Sequence, residues 1–129
     1  MSTIIEGYVA GDDLDIERDV TDVTPTDPLV KAWLTIKTSP SVLDASATIQ
    51  KVITTSQVVG TGQIAQDGSV GNGDGVASLV MELTKADTAL LGYAVRYVFD
   101  IQCKTNSGKI KTVDQGTILF SRGVTDATS

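Results

Sequence analysis

The chain has 129 residues, a formal net charge of −6 at pH 7, one cysteine and no histidine. This length corresponds to one domain, which can bury a core without disulfides. The missing histidine excludes Ser-His-Asp and Cys-His catalytic arrangements and imidazole zinc sites, and a single cysteine excludes a thiolate metal cluster. These exclusions favour a non-enzymatic protein with no cofactor and no metal.

Hydropathy and charge predict a protein made in the cytoplasm. No apolar run approaches the length of about 18 residues that spans a bilayer, and no basic segment followed by an apolar core marks a secretory signal. Residues 1–30 contain eight acidic residues and one basic residue, whereas residues 31–129 contain eight acidic and nine basic residues. The acidic balance argues against nucleic-acid binding, which needs a basic face. It indicates either contact with a basic partner or solubility alone.

The N-terminal region predicts strands. Threonine, valine and isoleucine are abundant throughout the chain, which favours β-structure. Residues 3–9 predict a short strand or an ordered N-terminal arm, and residues 13–20 alternate as in a half-buried strand with one acidic, solvated face. The acids of this region could together bind calcium, but alternating acids on a strand are more typical of a solvated face. These acids are Asp12, Asp13, Asp15, Glu17 and Asp19.

The strand predicted over residues 30–38 places the single tryptophan opposite an apolar face. That apolar face consists of Val30, Ala32, Leu34 and Ile36. Trp33 then lies on the other face, flanked by Lys31 and followed by Lys37, and aromatic anchors of this kind are enriched at interfaces. Alternatively, Trp33 covers a sheet edge or is buried by the segment that follows.

Two later strands place valines opposite their core faces. In residues 76–83, Val76 and Val80 fall opposite the apolar positions. Residues 93–103 alternate over six positions, which is hard to reconcile with a helix, and Val98 falls on the other face. The six positions expected in the core are Tyr93, Val95, Tyr97, Phe99, Ile101 and Cys103. If the two strands are neighbours, the three valines form an apolar stripe that can contact another subunit.

Together these elements predict an all-β fold, a single small Ig-like β-sandwich of seven or eight antiparallel strands. A short helical turn is expected near residues 84–91, because Thr84 and Asp87 are spaced like a capping box. The expected organisation is an N-terminal arm or edge strand, a sandwich domain and a flexible tail, at residues 1–10, 11–122 and 123–129.

The second half of the chain also contains short motifs in a characteristic order. They are Leu83-Thr84, Asp87-Thr88-Ala89, Gly92-Tyr93, Asp100-Ile101-Gln102, Gly108-Lys109 and Gly116-Thr117-Ile118. The earlier Gly11-Asp12-Asp13 and the strand over residues 32–37 fit the same series. In this series the chain resembles the small N-terminal β-sandwich of the phage baseplate upper protein family and related tail-fibre or virion proteins.

The resemblance implies a non-enzymatic bacteriophage virion protein that acts as an adaptor in the tail, baseplate or fibre-attachment region. A capsid decoration protein that cements neighbouring capsomers is the alternative within this class. A carbohydrate-binding or adhesin module is the alternative from another class. The expected partners are other virion proteins and copies of the chain itself in a homo-oligomer, with no nucleic acid and no membrane. The expected location is the virion, after synthesis in the host bacterial cytoplasm.

The expected interface combines charge with apolar contact. The acidic N-terminal region would steer association towards a basic partner surface, and the tryptophan and the outward valines would supply apolar area. The candidate interface residues are Tyr8, Asp12, Asp13, Asp15, Trp33, Val76, Val80 and Val98.

Overall fold

The computed structural model describes residues 3–39, 41, 46–91 and 95–121. Within these residues the chain forms eight strands and one short helix. The elements are β1 (Thr3–Val9), β2 (Leu14–Val20), β3 (Leu29–Lys37), β4 (Ile49–Ile53), β5 (Gly62–Asp67), β6 (Ala77–Leu83), α1 (Lys85–Leu91), β7 (Arg96–Thr105) and β8 (Ile110–Ser121).

The strands form two sheets, so the predicted all-β sandwich is confirmed. The larger sheet has five strands in the order β1-β8-β7-β3-β4, and the smaller has three in the order β2-β6-β5. One pairing contradicts the expectation of antiparallel strands throughout, because β1 runs parallel to β8. A hairpin turn forces antiparallel pairing, and β1 and β8 lie at opposite ends of the chain with no hairpin between them.

One apolar core fills the space between the sheets. It is built from alternate residues of each strand, because successive side chains of a strand point to opposite faces. The predicted inward positions are confirmed for most of β3, for β6 and for most of β7. The buried side chains of these strands include Ala32, Leu34, Ile36, Ala77, Leu79, Met81, Leu83, Tyr97, Phe99, Ile101 and Cys103.

Two predicted core positions are wrong. Val30 is 37% exposed and Leu29 is buried instead, because the pairing of β3 with β7 shifts register between Leu29 and Lys31. Such a shift moves a side chain to the other face. Val95 is 45% exposed because β7 begins only at Arg96. The predicted core residue Tyr93 and the predicted tail 123–129 lie outside the described residues.

Charged side chains join the two sheets along their edges. Arg18 of β2 forms a salt bridge with Asp114 of β8, with 2.8 Å between Nε and Oδ2, and the Thr3 hydroxyl of β1 donates to the same carboxylate. On the other side, Lys51 of β4 forms a 2.7 Å salt bridge with Asp87 of α1. These contacts hold the two sheets in one relative orientation, with their outer faces on opposite sides of the sandwich.

The surroundings of Asp114 and Asp87 favour the ionised form of each carboxylate. Burial raises the pKa of Asp114, but hydrogen bonds from Thr3 and Arg18 outweigh burial and leave the pKa below its ordinary value. Burial likewise raises the pKa of Asp87, and the hydrogen bonds from Lys51 and Thr84 more than offset it. Both groups therefore favour the folded chain in their ionised form.

Replacing Asp114 by asparagine is expected to lower the free energy of unfolding by about 1–3 kcal/mol at pH 7, because Arg18 loses a charged acceptor. The folded-state pKa lies below the unfolded one, so this stabilisation is present above about pH 4 and is lost as the pH falls through the lowered pKa. The difference in the free energy of unfolding between the natural chain and D114N should therefore narrow as the pH falls from about 5 to about 2. Urea unfolding at a series of pH values measures it.

The matched control is Asp15→Asn, which removes an exposed carboxylate from the same region of the sandwich. It should change stability at pH 7 by no more than about 0.5 kcal/mol. A D114N deficit of equal size at pH 7 and pH 3 would contradict a role for the ionised carboxylate.

Candidate interaction surfaces

The outer face of the five-stranded sheet is basic. In the pairing of β3 with β7, Lys31 lies opposite Lys104 and Lys37 opposite Val98, and these positions alternate with core residues. Arg96 projects on the same side, because its neighbour Tyr97 is buried in the core. We call this surface the lysine face, which comprises Lys31, Trp33, Lys37, Val52, Arg96, Val98 and Lys104.

Trp33 lies within the lysine face and is half-buried. It belongs to β3, which has a neighbouring strand on each side, so it does not cover a sheet edge. Its cross-strand neighbours are Gln102 of β7 and Val52 of β4, and Val52 is 40% exposed. The Lys31 Nζ lies 5.3 Å from the centroid of the tryptophan ring, within the range of a cation–π interaction. The aromatic ring is thus held in place while part of it stays open to a partner.

A shallow depression lies on the outer side of β3, β7 and β8. It has a volume of about 400 Å³, and its lining includes Thr35, Lys37, Val98, Asp100 and Gln115. Thr35 is buried there and accepts a 3.1 Å hydrogen bond from the Gln50 side chain. This combination of polar and apolar groups is typical of a protein-contact surface.

The outer face of the three-stranded sheet is acidic. Asp15 lies opposite Glu82, and Glu17 lies opposite Val80 in the pairing of β2 with β6. No lysine or arginine projects outward from these three strands, all of whose residues are described. We call this surface the acidic face, which comprises Asp15, Glu17, Asp19, Val80 and Glu82.

The fold converts an uneven charge along the chain into two oppositely charged surfaces. Packed sheets lie about 10 Å apart, and the charged side chains extend outward from both. The charges on the two faces are therefore separated by more than the Debye length of about 8 Å at physiological ionic strength. Each face presents its own sign of charge to a partner.

The predicted stripe of three valines is wrong. Val80 belongs to β6 in the three-stranded sheet and lies on the acidic face, whereas Val98 belongs to β7 in the five-stranded sheet and lies on the lysine face. Val76 precedes β6 and is 37% exposed. The outward direction of Val80 and Val98 was predictable from alternation, but the assignment of their strands to one sheet was not.

The N-terminal candidates are also spread over different places. Tyr8 is 47% exposed and borders the gap between β1 and β2. The Asp12 carbonyl accepts a 2.7 Å hydrogen bond from the Thr88 hydroxyl, and the Asp13 carboxylate accepts a 2.7 Å hydrogen bond from the Lys85 backbone N–H. Both aspartates thus attach α1, and only Asp15 lies on the acidic face.

The described residues contain no group of three or more carboxylates or thiols that could hold a metal ion. Alternate acids on β2 face outward along the strand, and each is paired across the sheet with a residue of β6.

Sequence reasoning missed part of the lysine face. Lys31 and Lys37 were visible as flanks of Trp33, but Arg96 and Lys104 carried no signal beyond their outward positions in β7. The missing information is the register of β7 against β3, which brings the four cations onto one surface.

Several residues of the short sequence motifs in the second half of the chain build the fold. Thr84 and Asp87 form the predicted capping box: the Thr84 N–H donates to the Asp87 carboxylate at 2.8 Å and the Asp87 N–H to the Thr84 hydroxyl at 3.2 Å. Thr88 is fully buried, and its hydroxyl accepts a 2.9 Å hydrogen bond from the Gly11 N–H. A Cβ on Gly116 would lie 1.7 Å from the Thr3 carbonyl oxygen, so only glycine allows β1 to pair there.

Replacing Thr88 by valine keeps the branched shape but removes the hydroxyl that bonds the Gly11 N–H and the Asp12 carbonyl. Because both backbone groups then lose a partner, we expect the free energy of unfolding to fall by about 1–3 kcal/mol. Thermal or urea unfolding measures the change. The control Thr112→Val, at an exposed position of β8, should stay within about 0.5 kcal/mol. Equal stability of the two variants would show that the Thr88 hydroxyl does not hold this junction.

The comparisons with known proteins identify no relative. No family model matches the sequence, no curated protein matches it, and no solved structure matches the fold. Among the described residues, no helix has the length and apolarity needed to cross a membrane.

Proposed function

We propose that this chain is a non-enzymatic structural protein of a bacteriophage particle. It acts as an adaptor in the tail, baseplate or fibre-attachment region and binds other virion proteins through the outer faces of its sheets. The observation that carries the binding role is the half-buried Trp33 in the middle of the lysine face. The bacteriophage assignment is supported by the resemblance of residues 76–122 to phage virion sandwiches.

The surroundings of Trp33 favour a protein partner. The ring has an exposed valine, Val52, on one side and the amide of Gln102 on the other. A partly exposed aromatic residue among apolar and charged neighbours is the composition found at the centre of protein interfaces. The tryptophan projects from the outer face of β3, between β7 and the edge strand β4, where it adds little to the core.

Carbohydrate binding is supported less well. Sugar rings stack on exposed aromatic residues, and such sites gather several. Tyr97, Phe99 and Phe120 are buried in the core, and Tyr8 borders the gap between β1 and β2, away from Trp33. Among the described residues, one aromatic side chain is left on the lysine face.

A capsid decoration protein uses the same kind of surface and differs in copy number. Quantitative mass spectrometry of purified particles tests both possibilities. A few to a few tens of copies per particle would support the adaptor, and hundreds of copies would support capsid decoration. Absence of the chain from particles would overturn the proposal.

Replacing Trp33 by alanine should reduce incorporation into particles by about tenfold or more, because central aromatic anchors contribute a large share of binding energy. The isolated variant should remain folded by circular dichroism. The control Tyr8→Ala removes an exposed aromatic residue away from the lysine face and should incorporate normally. If Trp33→Ala folds and incorporates like the natural chain, the lysine face is not the docking surface; if it unfolds, Trp33 serves the core.

A further inference from the structure

We infer that copies of this chain bind one another head to tail, with the acidic face of one copy against the lysine face of the next. The inference rests on the proposed function, in which the outer sheet faces are docking surfaces, and it names a second copy of the chain as the partner.

The acidic face and the lysine face are complementary in charge. The acidic face presents Asp15, Glu17, Asp19 and Glu82. The lysine face presents Lys31, Lys37, Arg96 and Lys104, and Asp100 projects among them. Surfaces of opposite sign attract and set each other's orientation, and like charges placed together oppose association. Each copy thus carries both halves of a complementary pair, on opposite sides of the sandwich.

Each face also presents apolar side chains at its centre. Val80 lies at the centre of the acidic face, between Glu17 of β2 and Gln63 of β5. The lysine face presents Trp33 and the exposed Val52 beside it. On both faces an apolar centre is surrounded by charged and polar side chains, which is the arrangement of a protein interface with a polar rim.

The sign of each face determines the symmetry of assembly. An isologous dimer would bring one face against its own copy, acid to acid or lysine to lysine, and would be repelled. The head-to-tail contact is heterologous, and such contacts either close into rings or continue as filaments.

The strength of the contact follows from its size. The acidic face is three strands wide, roughly 15 Å, and about 23 Å long. The area of the face is therefore smaller than the roughly 800 Å² per partner that stable interfaces bury. Each contact should therefore be weak in solution, depend on concentration and salt, and gain strength when copies are aligned.

Sedimentation velocity of the full chain at concentrations up to about 500 µM tests the inference. At about 50 mM NaCl the natural chain should form species larger than a monomer, and about 500 mM NaCl should dissociate them, because the Debye length shortens. A chain that stays monomeric at every concentration and salt would overturn the inference. It would leave the proposed function intact, since that is decided by the presence of the chain in particles.

Charge reversal on each face provides the specific test. The variants Glu17→Lys/Asp19→Lys and Lys31→Glu/Lys104→Glu should each lose self-association by about tenfold or more, because the first leaves the acidic face without net charge and the second makes the lysine face negative. Mixing the two variants should restore association. The quadruple variant has the same net charge as the natural chain but no complementary faces, and it should stay monomeric.

The control Lys85→Glu reverses an exposed charge on α1, outside both faces, and should associate normally. A discrete dimer that persists in high salt and survives both charge reversals would show a different interface and overturn the inference. Failure of the mixed variants to associate, with both variants folded by circular dichroism, would overturn it as well.

Discussion

The whole structure depends on the burial of one row of side chains from every strand in a single core. Because successive residues of a strand point to opposite sides, each strand that gives alternate residues to the core must present the residues between them to solvent. Burial of the apolar row supplies most of the driving force for folding. The outward row is then free to carry charge, and in this chain it carries acids on β2 and β6 and bases on β3 and β7.

Polar contacts at the edges of the core complement this burial. Among the described residues, no buried side-chain nitrogen or oxygen lacks a hydrogen-bond partner, as expected where an unpaired buried group is costly. The Arg18–Asp114 and Lys51–Asp87 pairs lie at opposite edges of the sandwich, and Thr88 attaches α1 to the β1–β2 connection. These contacts set how the sheets lie on one another, and so keep the acidic and lysine faces directed away from each other.

The distinction between fold-building and surface residues bears directly on function. The short motifs in the second half of the chain contain Thr84, Asp87, Thr88 and Gly116, which cap α1, attach it to the β1–β2 connection and allow β1 to approach β8. These residues therefore serve the architecture of the chain. The residues that we propose to contact partners lie elsewhere, on the acidic face and the lysine face. A sandwich with two oppositely charged faces is suited to the repeating contacts that we propose.

The sequence by itself determined the class of fold, the outward direction of Trp33, Val80 and Val98, and the capping box at Thr84, because alternation and capping depend only on neighbouring residues. It also located the acidic excess in residues 1–30. Tertiary structure alone decided which strands share a sheet, and so separated Val80 from Val98, brought Lys31 opposite Lys104, and paired β1 parallel to β8. Strand pairing and register arise from contacts between distant parts of the chain, which local pattern does not specify.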